Sequence, residues 1–469
     1  MVFSSLSFLF AFLPLCFLIY FIVPQKFRNI RNTVLLIFSL FFYFAGEPKY
    51  LVIMILSIIA NYLLALGIGA VKKNSGRIFF LILSLSSNLG LLVYFKYTDF
   101  FISNINSVLG ANIPLQNIIM PIGISFFTFQ GLSYVLDVYM GKVKVQKNLL
   151  YVATYVALFP QLVAGPIVRY ETVETELGKR KENLTDITWG LRRFIYGLAK
   201  KMLLANTLGQ VATEIFALDP SARTCALAWV GAVAYSFQIF FDFSGYSDMA
   251  IGLGKVFGFN FLENFNYPYI SRSITEFWRR WHISLGSWFR DYLYIPLGGN
   301  RRGAVRQILN IFTVWALTGL WHGASWNFVL WGVYFAVLLI TEKLFLKKIL
   351  DKIPHVFSHI YALFFIIIGW IIFNSPDMPS ALTYTKQLFG AGTAQGLSGN
   401  RALYYLWQYK AEFICAVIFS LPLAKALSKK MKNGATAELL RNTGALILLI
   451  LSVLSVVNTS FNPFIYFRF

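Results

Sequence analysis

The sequence predicts an all-α polytopic membrane fold, and three observations carry that prediction. Windows of about 20 apolar residues, the length of one bilayer crossing, recur from Val2 to Val457. The chain is 57% hydrophobic and 13% charged, too apolar for a single aqueous core. Lys and Arg outnumber Asp and Glu by 41 to 20, and these cations crowd into the short links between apolar stretches. No soluble module stands apart, so residues 1–469 read as one transmembrane domain. The same lack of a basic soluble module argues against nucleic acid as a partner.

Taken in order, the candidate segments lie near 3–23, 33–45, 49–70, 78–97, 118–139, 148–167, 189–208, 226–258, 307–340, 356–373, 411–427 and 439–457, about eleven membrane helices in all at ~20 residues per crossing. The first run lacks a basic region before it and a small-residue cleavage site, and Lys26, Arg28 and Arg31 follow it. It is expected to stay attached with the N-terminus outside. The 24–32 link and the link holding Lys72, Lys73 and Arg77 are separated by two segments and share a side, which the positive-inside rule makes cytoplasmic. Lys347, Lys348 and Lys352, and then Lys429, Lys430 and Lys432, mark further cytoplasmic returns. The 118–167 region is interrupted by Pro121, Gly131, Gly141, Pro160 and Pro166. Broken helices persist in lipid only where protein or a water-filled cavity satisfies the backbone, so these breaks predict an internal funnel or tunnel. The Gly- and Ser-rich stretch at 391–400 reads as a flexible connection.

Chemistry is expected between Phe240 and Trp331, where titratable residues enter apolar sequence. An ionisable group at membrane depth costs on the order of 2.5 to 3.5 kcal/mol and is a functional candidate by default. His322 is the sharpest case, the one titratable side chain near neutral pH between Ile311 and Ile340, flanked by Gly319 and Gly323. Small residues there admit a close backbone or a thin substrate. On one continuous helix, Trp315, Gly319, His322 and Trp326 share a face, which would wall the imidazole with indoles. Burial disfavours the charged form of such a ring, and a neutral imidazole can take a proton from a hydroxyl. A histidine merely hydrogen-bonded across helices is the plainer alternative.

His282 lies in WRRWHISLGSWFRDYLY, too polar to span and too aromatic for an ordinary loop, so a re-entrant or interfacial helix is expected. From Arg272 to Arg306 seven arginines face Glu276 and Asp291, a formal +5. Arg279, Arg280 and Arg290, with Trp281 and Trp326, suit the phosphates and adenine of a donor coenzyme; anchoring to lipid headgroups is the competing use. Asp242 and Asp248 interrupt an apolar segment. A carboxylate there orients a histidine, binds a hydroxyl, or pairs with an arginine of the 272–306 stretch.

Other chemistries find no support. The chain has no phosphate-binding GxxxxGK[ST] loop and no HExxH zinc helix, and Gly252, Gly254 and Gly258 miss the dinucleotide spacing. Ser325, three residues after His322, lacks a nucleophile elbow. Cys16, Cys225 and Cys415 are scattered and odd in number, so neither disulfides nor a metal site is expected. His355 and His359 have i, i+4 spacing but sit at a basic membrane edge, and read as interfacial.

The stretches PIGISFFTFQGLSYVLDVY (121–139), LFPQLVAGPIVRY (158–170), FFDFSGYSDMAIGLG (240–254), ENFNYPYISRSITEFWRRWHISLGSWFRDYLYIPLGGNRRG (263–303) and LTGLWHGASWNFVLWG (317–332), with the ending NPFIYFRF, closely resemble the membrane-bound O-acyltransferase family. Within it they look like the bacterial alginate O-acetyltransferase branch; Gly286 stands where that pattern has Ser. The resemblance implies a ring or funnel of helices around a central tunnel, the essential histidine at His322 and a second at His282. It also implies a bacterial plasma membrane and acetyl-CoA as donor substrate, with no resident cofactor and no metal. The expected activity is O-acetylation of an extracellular polysaccharide such as alginate, directly or through a secreted transferase partner. An exporter of D-alanyl or another acyl group from a carrier-protein thioester is one alternative, and a polysaccharide or lipid transporter is another.

Overall fold

The computed structural model describes residues 1–162, 165–392, 400–430, 434–458 and 465. Regular structure among them is helical, with no strand. Helices α1 (Phe8–Ile22), α2 (Arg28–Phe44), α3 (Leu51–Ala70) and α4 (Asn74–Leu109) follow the first four expected segments. Then come α5 (Ile124–Tyr139), α6 (Leu149–Ala157), α7 (Tyr170–Lys179), α8 (Leu184–Ala199), α9 (Asn206–Phe216) and the long α10 (Cys225–Val256). Two seven-residue helices, α11 (Ile274–Arg280) and α12 (Ile283–Phe289), precede α13 (Ala304–His322), α14 (Trp326–Leu350) and α15 (His355–Asn374). Further helices lie at Met378–Gln387, Asn400–Gln408, Lys410–Ser420, Leu423–Lys430 and Ala435–Asn458.

The chain is a multi-pass membrane protein. Six helices among the described residues are long and apolar enough to cross a bilayer: Pro48–Ala70, α4, α10, α14, α15 and Ala435–Asn458; α1 is a shorter apolar helix. The most apolar window of α10 is 78% buried, against 11–44% for the other five. Of the six, this is the span most fully wrapped by protein, which gives its carboxylates a place out of lipid. Residues 393–399 of the Gly/Ser-rich connection, Lys432, and the ending motif apart from Ile465 lie outside the described residues.

Two compact units emerge, Met1–Phe194 with Tyr246–Leu262, and Ile195–Gly245 with Glu263–Phe469. In the first, the breaks expected around 118–167 fall at Gly123 (φ +77°), where α5 starts, and at Gly141 (φ +72°), just beyond its end. Gly131 does not break the helix. It sits mid-α5, where a Cβ would stand 2.6 Å from Asn61 Nδ2, so its small size lets α3 approach. Asn61 and Asn88 exchange amide hydrogen bonds of 2.8 and 3.1 Å between α3 and α4, polar pairing that lipid cannot replace. At the basic end of this unit, Arg28, Arg31 and Arg180 surround the buried Glu182 carboxylate, which also accepts from the Tyr20 hydroxyl. Arg180 further donates to Asn32 Oδ1 at 2.7 Å and to the Phe257 carbonyl at 2.8 Å.

The second unit is built on an aromatic core that includes Phe240, Phe277, Trp281, Trp331, Phe335 and Trp370. The 307–340 stretch, expected as one segment, is two helices. Gly323 and Ser325 adopt extended backbone between them and turn the chain back on itself. Gly319 and Gly332 mark the crossing, since a Cβ at either would lie 2.2 Å from a main-chain oxygen, of Phe328 and Trp315 respectively. Of the two glycines around His322, Gly319 therefore serves a backbone contact inside this hairpin, and Gly323 makes room for the Phe328 ring. Trp326 opens the second helix and is 59% exposed, so it does not share a helical face with His322.

Candidate functional site

Both candidate histidines owe their positions to a local break in a helix. His322 ends α13 at the turn of the hairpin and is 7% exposed. Its ring lies 5.0 Å from that of Trp321, 5.1 Å from Trp331 and 5.2 Å from Phe373. Indoles do flank the ring, but Trp321 and Trp331 rather than Trp326 supply them, because the chain reverses after Gly323.

His282 occupies the join between α11 and α12 and is 3% exposed. Its backbone is left-handed (φ 45°, ψ 51°), a conformation that costs a non-glycine residue on the order of 1 to 3 kcal/mol and that the surroundings must enforce. The ring stands 4.5 Å from Phe243 and 5.9 Å from Trp321. Burial disfavours positive charge on the His282 ring and holds its pKa below the ordinary value, and positive charge on His322 lowers it further.

Asp242, deep in α10, binds Lys201 Nζ at 2.6 Å through Oδ1, with both side chains buried. Its Oδ2 accepts the Ile465 N–H at 2.9 Å. The expected pairing thus forms with a lysine from the turn after α8 and not with an arginine of 272–306. Asp248 likewise pairs outside that stretch, with Arg193 at 2.7 Å in the first unit. Glycines explain the preference for α8 over the arginine-rich stretch. A Cβ at Gly252 would meet the Gly190 carbonyl at 2.5 Å, and one at Gly245 the Gly197 carbonyl at 2.7 Å, so α8 and α10 run backbone to backbone and their charges meet.

Asp242 and His322 line a small cavity together with Ile239, Phe243, Trp281, Trp331, Trp370, Phe373 and Ile465. Asp242 and His322 are its two titratable residues. Of the predicted site residues, Asp242, Trp281 and His322 line it, and His282 stands just behind Phe243. Arg279, Arg280, Arg290 and Trp326 are not among the lining residues. Arg279 is exposed, Arg280 pairs with Glu276 at 2.8 Å, and Arg290, 62% exposed, pairs with Asp291 at 2.6 Å.

Sequence reasoning missed Lys201, Trp331, Trp370 and Phe373. Lys201 follows Lys200 and looks like a second basic anchor; its apolar successors Met202, Leu203 and Leu204 were the available signal. His355 and His359 hold the chain before α11, through Arg272 Nη1 at 2.9 Å and the Ser271 carbonyl at 3.1 Å. Glu342, buried in α14, caps α11 by accepting the Ile274 and Thr275 N–H groups at 2.6 and 2.8 Å, a carboxylate placed at the positive end of a helix.

The model of the membrane-bound O-acyltransferase family matches residues 143–375, which include both histidines, Lys201 and Asp242. The chain is 37% identical to a probable alginate O-acetylase of Pseudomonas putida over the whole of both chains. It is 42% identical to one from Pseudomonas syringae pv. tomato, over 86% of this chain and 78% of the relative. It is 32% identical to a peptidoglycan O-acetyltransferase of Helicobacter pylori, over 100% of this chain and 98% of the relative.

Proposed function

The chain belongs to the membrane-bound O-acyltransferase family, and from that premise we propose that residues 1–469 work as one O-acetyltransferase of a bacterial plasma membrane. It takes acetyl from cytoplasmic acetyl-CoA and delivers it across the bilayer toward an extracellular polysaccharide hydroxyl, directly or through a secreted partner. His322 accepts the hydroxyl proton as the oxygen attacks the thioester carbonyl. The carbon–sulfur bond breaks, and the imidazolium returns the proton to the departing thiolate. His282 positions the donor or assists the leaving thiol. Arg279, Arg280 and Arg290, with the rest of the basic 272–306 stretch, meet the donor's phosphates. Alignment of both reactants in a dry compartment is worth ~7 to 11 kcal/mol, and general-base assistance adds a factor of ~10² to 10⁴.

The observation that carries acetyl as the transferred group is the cavity wall, seven apolar or aromatic residues around one imidazole and one carboxylate. A D-alanyl group brings an ammonium that needs an anion, and the carboxylate there is already engaged by Lys201. The transporter reading has no such support, since the named relatives are O-acetylating enzymes. Purified protein in nanodiscs, given labelled acetyl-CoA or a D-alanyl carrier protein, is the test. Consumption of acetyl-CoA by wild type, lost in His322→Gln, is expected; consumption of the carrier thioester alone would refute the assignment.

A further inference from the structure

The left-handed backbone at His282 raises the question of what holds it there. Residues 264–266 run beside 280–284 and tie down both sides of the join. On one side the Asn266 N–H donates to the Arg280 carbonyl at 2.9 Å, and Arg280 Nη1 donates back to the Asn266 carbonyl at 3.1 Å. On the other side Asn264 takes three hydrogen bonds. Its main-chain carbonyl accepts the Ile283 N–H at 3.0 Å. Its side-chain Oδ1 accepts both the Ser284 N–H, at 3.1 Å, and the Ser284 hydroxyl, at 2.9 Å. Asn264 has no exposed surface and Ser284 is 2% exposed, so these bonds are made away from water, where leaving them unmade is expensive. Between the two ties, Phe265 packs its ring 5.0 Å from Trp281, which fixes the register of the two strands of chain. The imidazole of the intervening residue is left to point at Phe243 and Trp321.

We infer that Asn264 is a positioning residue of the transferase. Through its clamp on Ile283 and Ser284, it forces His282 into the left-handed turn that sets the imidazole against Phe243 and Trp321, beside the cavity where His322 works. The inference rests on the reading that His282 takes part in acyl transfer. It assigns Asn264 no contact with substrate.

The test uses the full chain in membranes or nanodiscs, with acetyl-CoA turnover as the readout. Asn264→Leu removes the Oδ1 acceptor, and Asn264→Asp keeps it. The expected results are a fall in kcat of about 10 to 100-fold in Asn264→Leu, as for a misplaced catalytic group, with the KM for acetyl-CoA unchanged, and a return to within about threefold of wild type in Asn264→Asp. In a His282→Ala background Asn264→Leu is expected to add less than about twofold, because the clamp acts through the ring already removed. If Asn264→Leu elutes aggregated from detergent, Ser284→Ala takes its place, with a smaller loss that also vanishes in His282→Ala. Wild-type kcat in Asn264→Leu, or losses that multiply in the double variant, would overturn the inference while leaving the role of His282 intact. Wild-type kcat in His282→Ala would remove that role and the inference together.

Discussion

A side chain in this core is judged by what surrounds it, and the buried ions make the point. Lys201 and Asp242 meet at 2.6 Å with almost no exposure. Removing one partner strands the other charge, an effect of about 3 to 5 kcal/mol. Lys201→Met is therefore expected to lower the thermal midpoint in detergent sharply, and Lys201→Met with Asp242→Leu to recover part of the loss. Equal midpoints for the two variants would mean that the pair is not coupled. His322→Gln keeps the shape and loses the basicity, so turnover should fall by ~10² to 10⁴ with the midpoint unchanged. His322, Asp242 and Trp281 were legible in the sequence because a polar or aromatic group in an apolar run has few idle explanations. Trp331 and Phe373 were not, since one more ring among the 18% aromatic residues carries no signal until the chain reverses at Gly323.

At the scale of elements, the α13–α14 hairpin shows how glycine sets a distance. Gly332→Ala would drive a Cβ to 2.2 Å from the Trp315 carbonyl and force the helices apart, at about 1 to 3 kcal/mol of overpacking. Gly444→Ala, in the helix Ala435–Asn458 with open space around it, should be neutral or stabilising by up to about 1 kcal/mol. Thermal unfolding of the two variants side by side checks the contrast, and a Gly332→Ala midpoint as high as that of Gly444→Ala would contradict it. The existence and rough limits of most apolar segments could be read from periodicity and length. The reversal inside 307–340 could not, because Gly and Ser occur in membrane helices as freely as between them. The split of the 263–303 stretch into α11 and α12 depends on the distant Asn264 and Glu342, which no local pattern encodes.

At the scale of the molecule, the basic end of the first unit should make stability depend on pH. Burial alone would raise the Glu182 carboxyl, but hydrogen bonds from Arg28 and Tyr20, and the charges of Arg28 and Arg180, outweigh it and hold its pKa below the ordinary value. A carboxyl depressed in the folded state contributes stability above its unfolded pKa, about 4.3, and that contribution disappears as pH falls through the folded value. The detergent midpoint should therefore decline below about pH 4.5. Glu182→Gln should start lower and lose less over the same range, and parallel pH curves for the two proteins would exclude this account. All-helical membrane character and the family were legible from composition and long motifs, whereas the division into two compact units was not, since α10 crosses between them without interruption.

Phe373 lines the cavity with its ring 5.2 Å from both His322 and Trp331. With the acyl group held there as proposed, a phenyl group in that place would act as a gauge of carbon number, because a chain longer by one or two methylenes would need the volume the ring fills. Phe373→Ala should then accept propionyl- and butyryl-CoA at the expense of the two-carbon substrate, and competition between labelled thioesters would read the shift directly. On that reading the length of the transferred acyl group would be set by one replaceable ring, with the proposed base, His322, left in place.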